Sequence, residues 1–125
     1  MLHIVIKDVE VRTQDNPEID GINLQYVQQC RIENVFINTG IYCVQASRPT
    51  HGTRGLITPA CNNGALTILR NVVVTGYHTA IVVNEHTDGD NVNLSCNTNG
   101  LDFVQAHHAS RFGRVGAYRC TNSLT

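Results

Sequence analysis

Long apolar runs are missing from this chain. The longest, Val72-Val73-Val74 and Ala80-Ile81-Val82-Val83, fall far short of the roughly 20 residues that a membrane-spanning helix needs, so no transmembrane helix is expected. Charge is scarce as well. Only 15% of the 125 residues are charged, the formal net charge is −1, and no Lys/Arg run occurs. No basic field is there to draw in a phosphate backbone, which removes nucleic acid from the expected partners. The start, Met1-Leu2-His3-Ile4-Val5-Ile6-Lys7, lacks a charged lead, a sustained apolar core and a small-residue cleavage site, so it directs no secretion, although a fragment would have lost such a signal. The five cysteines are odd in number and share no C-x-x-C spacing. That argues against a zinc knuckle or a dense disulfide scaffold and leaves the redox compartment open.

Helix formers in helical spacing are also few, with one Met and no Trp. What the chain has instead is Asn, Thr, Val and Gly, arranged as short β-branched runs punctuated by turn residues. It is an all-β sequence of one domain's length.

A repeat organises it. A polar-Val-x-apolar phrase occurs at Asp8-Val9-Glu10-Val11, Asn34-Val35-Phe36-Ile37, Asn71-Val72-Val73-Val74, Asn91-Val92-Asn93-Leu94 and Arg114-Val115-Gly116-Ala117. A second phrase of small-apolar-x-apolar form follows, at Gly21-Ile22-Asn23-Leu24, Gly40-Ile41-Tyr42-Cys43, Ala80-Ile81-Val82-Val83 and Gly100-Leu101-Asp102-Phe103, with another beginning at Ser123-Leu124. The unit is about 20 residues, too small to bury its own apolar face, so neighbouring units must stack. A parallel β-helix, with one unit per coil, meets that need. Equivalent positions then lie about 4.8 Å apart. Ile22, Ile41, Ile81 and Leu101 form one inward column, and Leu24, Cys43, Val83 and Phe103 the next. Asp8, Asn34, Asn71 and Asn91 line up as an Asn/Asp ladder at a turn, broken by Arg114.

Residues 46–64 interrupt the period. With Pro49 and Pro59 inside them, they suit a long loop leaving the coil, and such insertions are often where ligands bind. In the alternative reading Leu56-Ile57 is an extra short coil. With no capping helix at either end, the chain is expected to be a segment of a longer β-helix or part of an oligomer.

Over nearly its whole length the chain resembles the pectin-lyase-like right-handed parallel β-helix superfamily, which includes polygalacturonases, pectate lyases and phage tail spikes. The local match runs through Asn16-Pro17-Glu18-Ile19-Asp20-Gly21-Ile22, Cys30-Arg31-Ile32-Glu33-Asn34-Val35 and Gly40-Ile41-Tyr42-Cys43. The resemblance implies a right-handed coil, a polysaccharide partner and an extracellular, cell-surface or virion setting. It places Asp20 on a catalytic aspartate of the polygalacturonases, but Ile41 and Tyr42 stand where the family has its paired acids. Inverting hydrolysis needs a protonated carboxyl and a carboxylate base together, which Asp20 alone cannot supply. Lyases of the superfamily use a basic residue with acidic side chains that hold Ca²⁺.

A second candidate centre is Asn84-Glu85-His86-Thr87-Asp88-Gly89-Asp90-Asn91. Glu85, Asp88 and Asp90 are hard-oxygen ligands for calcium, or an acid and a base. The same residues also suit a plain turn between strands. One coil on, Gln105-Ala106-His107-His108-Ala109-Ser110-Arg111 would bring Gln105 near Glu85 and His107 and His108 near His86. With Arg111 they make a sugar-binding or proton-transferring edge, or a solvated turn. Zinc on His86, His107 and His108 would need further ligands, and no metal site is assigned. Outward Tyr42, with Tyr26, Arg48 and Arg54, suits the ring faces and hydroxyls of a carbohydrate. Two functions follow: a polysaccharide-degrading glycosidase or lyase working through Asp20, or through Asp88, Asp90, His107 and His108; and a non-catalytic glycan-binding or structural module, expected as a homotrimer if it belongs to a tail.

Overall fold

A computed structural model of the chain describes residues 3–40, 52–60, 65–103 and 110–124. Among them there is no helix, and every strand pairing is parallel. The strands are β1 (His3–Arg12), β2 (Ile22–Asn23), β3 (Gln29–Asn38), β4 (Gly52–Ile57), β5 (Leu66–Thr75), β6 (Tyr77–Val83), β7 (Thr87–Ser95), β8 (Asn99–Phe103), β9 (Arg111–Phe112), β10 (Val115–Tyr118) and β11 (Asn122–Leu124). They form two sheets. One runs β1-β3-β5-β7-β10, with β9 also on β7, and the other runs β2-β4-β6-β8-β11. The chain therefore visits the sheets in turn and advances by one strand in each.

Alternation along the strands builds the core. Val35, Val72 and Val92 are in register, as are Ile37, Val74 and Leu94, and all six are buried. On the second sheet Leu56, Ile81 and Leu101 form the facing buried column, flanked in register by Ile22 and Leu124. Period-2 patterning on the first sheet points one set of side chains into an apolar interior that the second sheet closes, where β6 is buried continuously from Thr79 to Val83.

The long strands of the first sheet bend at the ladder position. Asp8, Asn34, Asn71 and Asn91 all have φ between 52° and 57°, a region that Asn and Asp tolerate best among non-glycine residues. Their side chains then stack. Asn34 Nδ2 donates to Asp8 Oδ1 at 3.0 Å, Asn71 Nδ2 to Asn34 Oδ1 at 3.0 Å, and Asn91 Nδ2 to Asn71 Oδ1 at 2.6 Å. The steps along this ladder are 26, 37 and 20 residues, so the spacing of about 20 belongs to only part of the chain.

The loop expected at residues 46–64 requires a correction. Gly52–Ile57 is a strand, paired with β2 on one side and β6 on the other. Leu56 takes the column position expected of Ile41, which lies outside the described residues. Pro49 and Pro59 had suggested a loop; the alternative, an added unit at Leu56-Ile57, is the one this pairing favours, and Gly55 is set by close packing: a Cβ there would meet Val74 Cγ1 at 2.4 Å and the Ala80 carbonyl oxygen at 2.7 Å. Pro59 falls just after the strand, where its missing N–H costs no ladder bond. The extra length shows in the 37-residue step between Asn34 and Asn71.

Buried polar groups hold the corners. Tyr77 is fully buried, and its hydroxyl lies 3.0 Å from Thr13 Oγ1, 64 residues away. Asn97 donates to the Val74 carbonyl at 3.0 Å and accepts from the Tyr77 N–H at 2.8 Å. Cys30 and Cys120 are free thiols, whereas Cys96 is in a disulfide.

Candidate functional site

The corner between β6 and β7 carries the acidic cluster, and the backbone there is tightly tied. Asn84 N–H donates to Thr58 Oγ1 and Asn84 Nδ2 to the Thr58 carbonyl, both at 2.8 Å. Thr87 Oγ1 and Ser110 Oγ both donate to the Asn84 carbonyl. His86 has φ 53°, and its Nδ1 lies 3.0 Å from the Ala65 carbonyl oxygen, to which it can donate. These bonds fix the ring against β5 and leave Glu85 half-buried beside it.

Asp88 and Asp90 follow on β7. Alternate residues of a strand share a face, with Cα atoms about 6.6 Å apart. Asp88 Oδ1 accepts from Arg70 Nη1 at 3.3 Å and its Oδ2 from Arg111 Nη2 at 3.1 Å. Arg70 also donates to the Asp88 carbonyl at 3.1 Å. Asp90 belongs to Arg114: Oδ1 accepts from the Arg114 backbone N–H at 3.0 Å and from its Nε at 3.2 Å, and Oδ2 from Nη2 at 3.1 Å. Those bonds hold the Asp90 carboxyl at about 2 and push the Arg114 guanidinium further up.

Asp88 and Arg111 are register partners across β7 and β9. Sequence reasoning missed Arg70, Arg114 and Ser110. Arg70 is the register partner of Glu33 on one side and Asp90 on the other, so its role was visible only as a column of alternating charge. Gln105, His107, His108 and Tyr42 lie outside the described residues.

A cleft of about 520 Å³ opens beside this corner, lined by Ala65, Leu66, His86, Asp88, Ser110 and Arg111. It falls within the usual size range of small-ligand sites. Its lining combines the apolar Ala65 and Leu66 with an imidazole, a hydroxyl, a carboxylate and a guanidinium.

Asp20 sits elsewhere, just before β2. Arg54 holds it in a two-pronged ion pair, Nε to Oδ1 at 3.0 Å and Nη2 to Oδ2 at 2.9 Å, and Thr53 Oγ1 adds a third bond at 2.9 Å. Glu18, His78 and Thr79 complete a shallow cleft of about 400 Å³ around the pair. The structure thus brings His86, Asp88 and Arg111 together on the β5–β7–β9 side and leaves Asp20 with β4.

A general acid must carry a proton near its working pH. Asp90, at about 2, is an anion there, and the oxygens of Asp20 and Asp88 are occupied by guanidiniums and a hydroxyl. The same occupancy makes Asp88 and Asp90 a poor donor set for calcium, because a hard cation would have to displace arginine first. Among the described residues no group of three or more His, Cys, Asp and Glu side chains is placed to share a metal ion.

No family model, curated protein or solved structure matches this chain.

Proposed function

We propose that the chain is a segment of a right-handed parallel β-helix that holds carbohydrate on its flank without cleaving it. The alternating visits to two parallel sheets and the Asn/Asp ladder support the coil. The observation that carries the functional reading is the cleft lined by His86, Asp88, Ser110 and Arg111 together with the apolar Ala65 and Leu66. A sugar ring presents one apolar face and a rim of hydroxyls, and this lining offers a partner to each. The three carboxylates best placed for chemistry are bound to arginines, which suits holding a ligand better than transferring protons.

The test pairs binding with turnover. Oligosaccharides from uronate-rich and neutral polysaccharides are titrated into the folded chain with and without Ca²⁺, and the mixtures are analysed by mass spectrometry. Binding that Arg111→Ala weakens about tenfold, the scale of one lost charge-assisted hydrogen bond, with no new chain ends, is the expected result. Unsaturated or hydrated ends would make the protein a lyase or a glycosidase and overturn the non-catalytic reading; failure to bind any member of the panel would overturn the carbohydrate reading itself.

A further inference from the structure

Asn93-Leu94-Ser95 is the one place where an asparagine of this chain stands two residues before Ser or Thr. That triplet is the acceptor of asparagine-linked sugar, a bulky and solvated substituent that the folded chain must leave room for. A strand interior has room on one face only, so the direction of the side chain decides. Asn93 lies on β7 between the buried Val92 and Leu94 and is itself exposed. Alternation turns its amide outward and sets Ser95 on the same face, the extended pairing that a transferase reads before the strands pack.

The neighbours in register make the room. On one side Asn93 pairs with Gly116, where a Cβ would come within 2.7 Å of Asn93 Oδ1, so the missing side chain leaves that flank to the amide. On the other side Asn93 pairs with Val73, and Val73 with Phe36. Val73 is half-buried and Phe36 is 41% exposed. At about 4.8 Å per strand they form an apolar strip reaching roughly 10 Å from Asn93, and the apolar faces of sugar rings suit such a strip. Asn93 Nδ2 carries two hydrogens: one makes a long bond of 3.4 Å to Asn91 Oδ1, and the other can be replaced with that bond kept. Cys96, three residues on, is in a disulfide, a bond of the oxidising compartments in which such sugars are attached.

We propose that Asn93 carries an N-linked glycan whose first sugars lie along Val73 and Phe36. In the transfer, Asn93 Nδ2 bonds to the anomeric carbon of a lipid-pyrophosphate oligosaccharide. The bond from that carbon to the pyrophosphate oxygen breaks, the lipid pyrophosphate leaves, and the amide gives up one proton. The site is separate from the cleft described above and does not rest on it: His86 and Asp88 precede the bend at Asn91, and Asn93 follows it.

The full chain, carried through the secretory route of eukaryotic cells behind a cleavable leader, tests attachment by intact mass before and after a glycoamidase, which frees the sugar and leaves aspartate at the linkage. The expected result is hexose and N-acetylhexosamine mass on the folded chain, mapped to Asn93 and absent from both Asn93→Gln and Ser95→Ala. A chain that is folded by circular dichroism yet unmodified would overturn the proposal, as would glycoamidase-released sugar that persists in either variant. Proton NMR of the glycosylated chain tests the placement. The N-acetyl methyl signals are expected upfield of their free-sugar position under the Phe36 ring current, and Phe36→Ala is expected to return them. Signals that Phe36→Ala leaves in place would overturn the placement along the strip.

Discussion

Asn71 Nδ2 donates to Asn34 Oδ1 at 3.0 Å across 37 residues of sequence, while Asn71 Oδ1 accepts from Asn91. One amide thereby uses a donor and an acceptor to join three strands, and it does so from a left-handed backbone position that most residues avoid.

Asn71→Ala should accordingly be costly for an exposed site. It removes both bonds and strains the backbone, and we expect a loss of about 1–2 kcal/mol in urea unfolding. Asn71→Gly keeps the backbone at ease and loses only the bonds, so its cost should be smaller. Equal costs would mean that the strain is negligible.

Asp90 and Arg114 predict an acid transition. The arginine holds the folded carboxyl at about 2, below the roughly 3.9 of an unfolded aspartate. The stabilisation is therefore complete above pH ~4 and disappears as the pH falls through about 2. Carboxyl NMR should find the Asp90 midpoint near the lower value, and Arg114→Ala should return it to the ordinary range.

Tyr77 predicts the opposite limb. Burial pushes its phenol above the ordinary value, so the folded state keeps a proton that the unfolded chain gives up near pH ~10. Its contribution is complete below that pH and declines above it. Tyr77→Phe should remove the alkaline decline, visible in thermal unfolding between neutral and high pH. It should also cost about 1 kcal/mol by leaving Thr13 without its hydroxyl partner.

Gly55→Ala tests β4, whose end Leu56-Ile57 the sequence offered only as an alternative to a loop. Its Cβ would meet the Ala80 carbonyl and a Val74 methyl, and overpacking of this kind costs about 1–3 kcal/mol. An alanine there that unfolds like the parent would mean that β4 does not pack in the stack.

The parts of this fold legible in the chain were those written in local chemistry. Alternation placed Leu24, Ile81, Val83 and Leu101 inside, and the recurring Asn and Asp marked the ladder, because backbone preference and strand period act over a few residues. Strand β4 was legible only in part, as the alternative reading of Leu56-Ile57. Its glycines suit a loop as well as a tight column, and only the neighbours of Gly55 separate the two. The site divides the same way. Asp88 and Arg111 were both named from the sequence and meet as register partners, whereas Arg70 bonds Asp88 although its register partner is Asp90. Register depends on the lengths of the intervening segments, which vary from 20 to 37 residues between ladder positions, and that variation is settled when the apolar columns pack together, not by any residue alone.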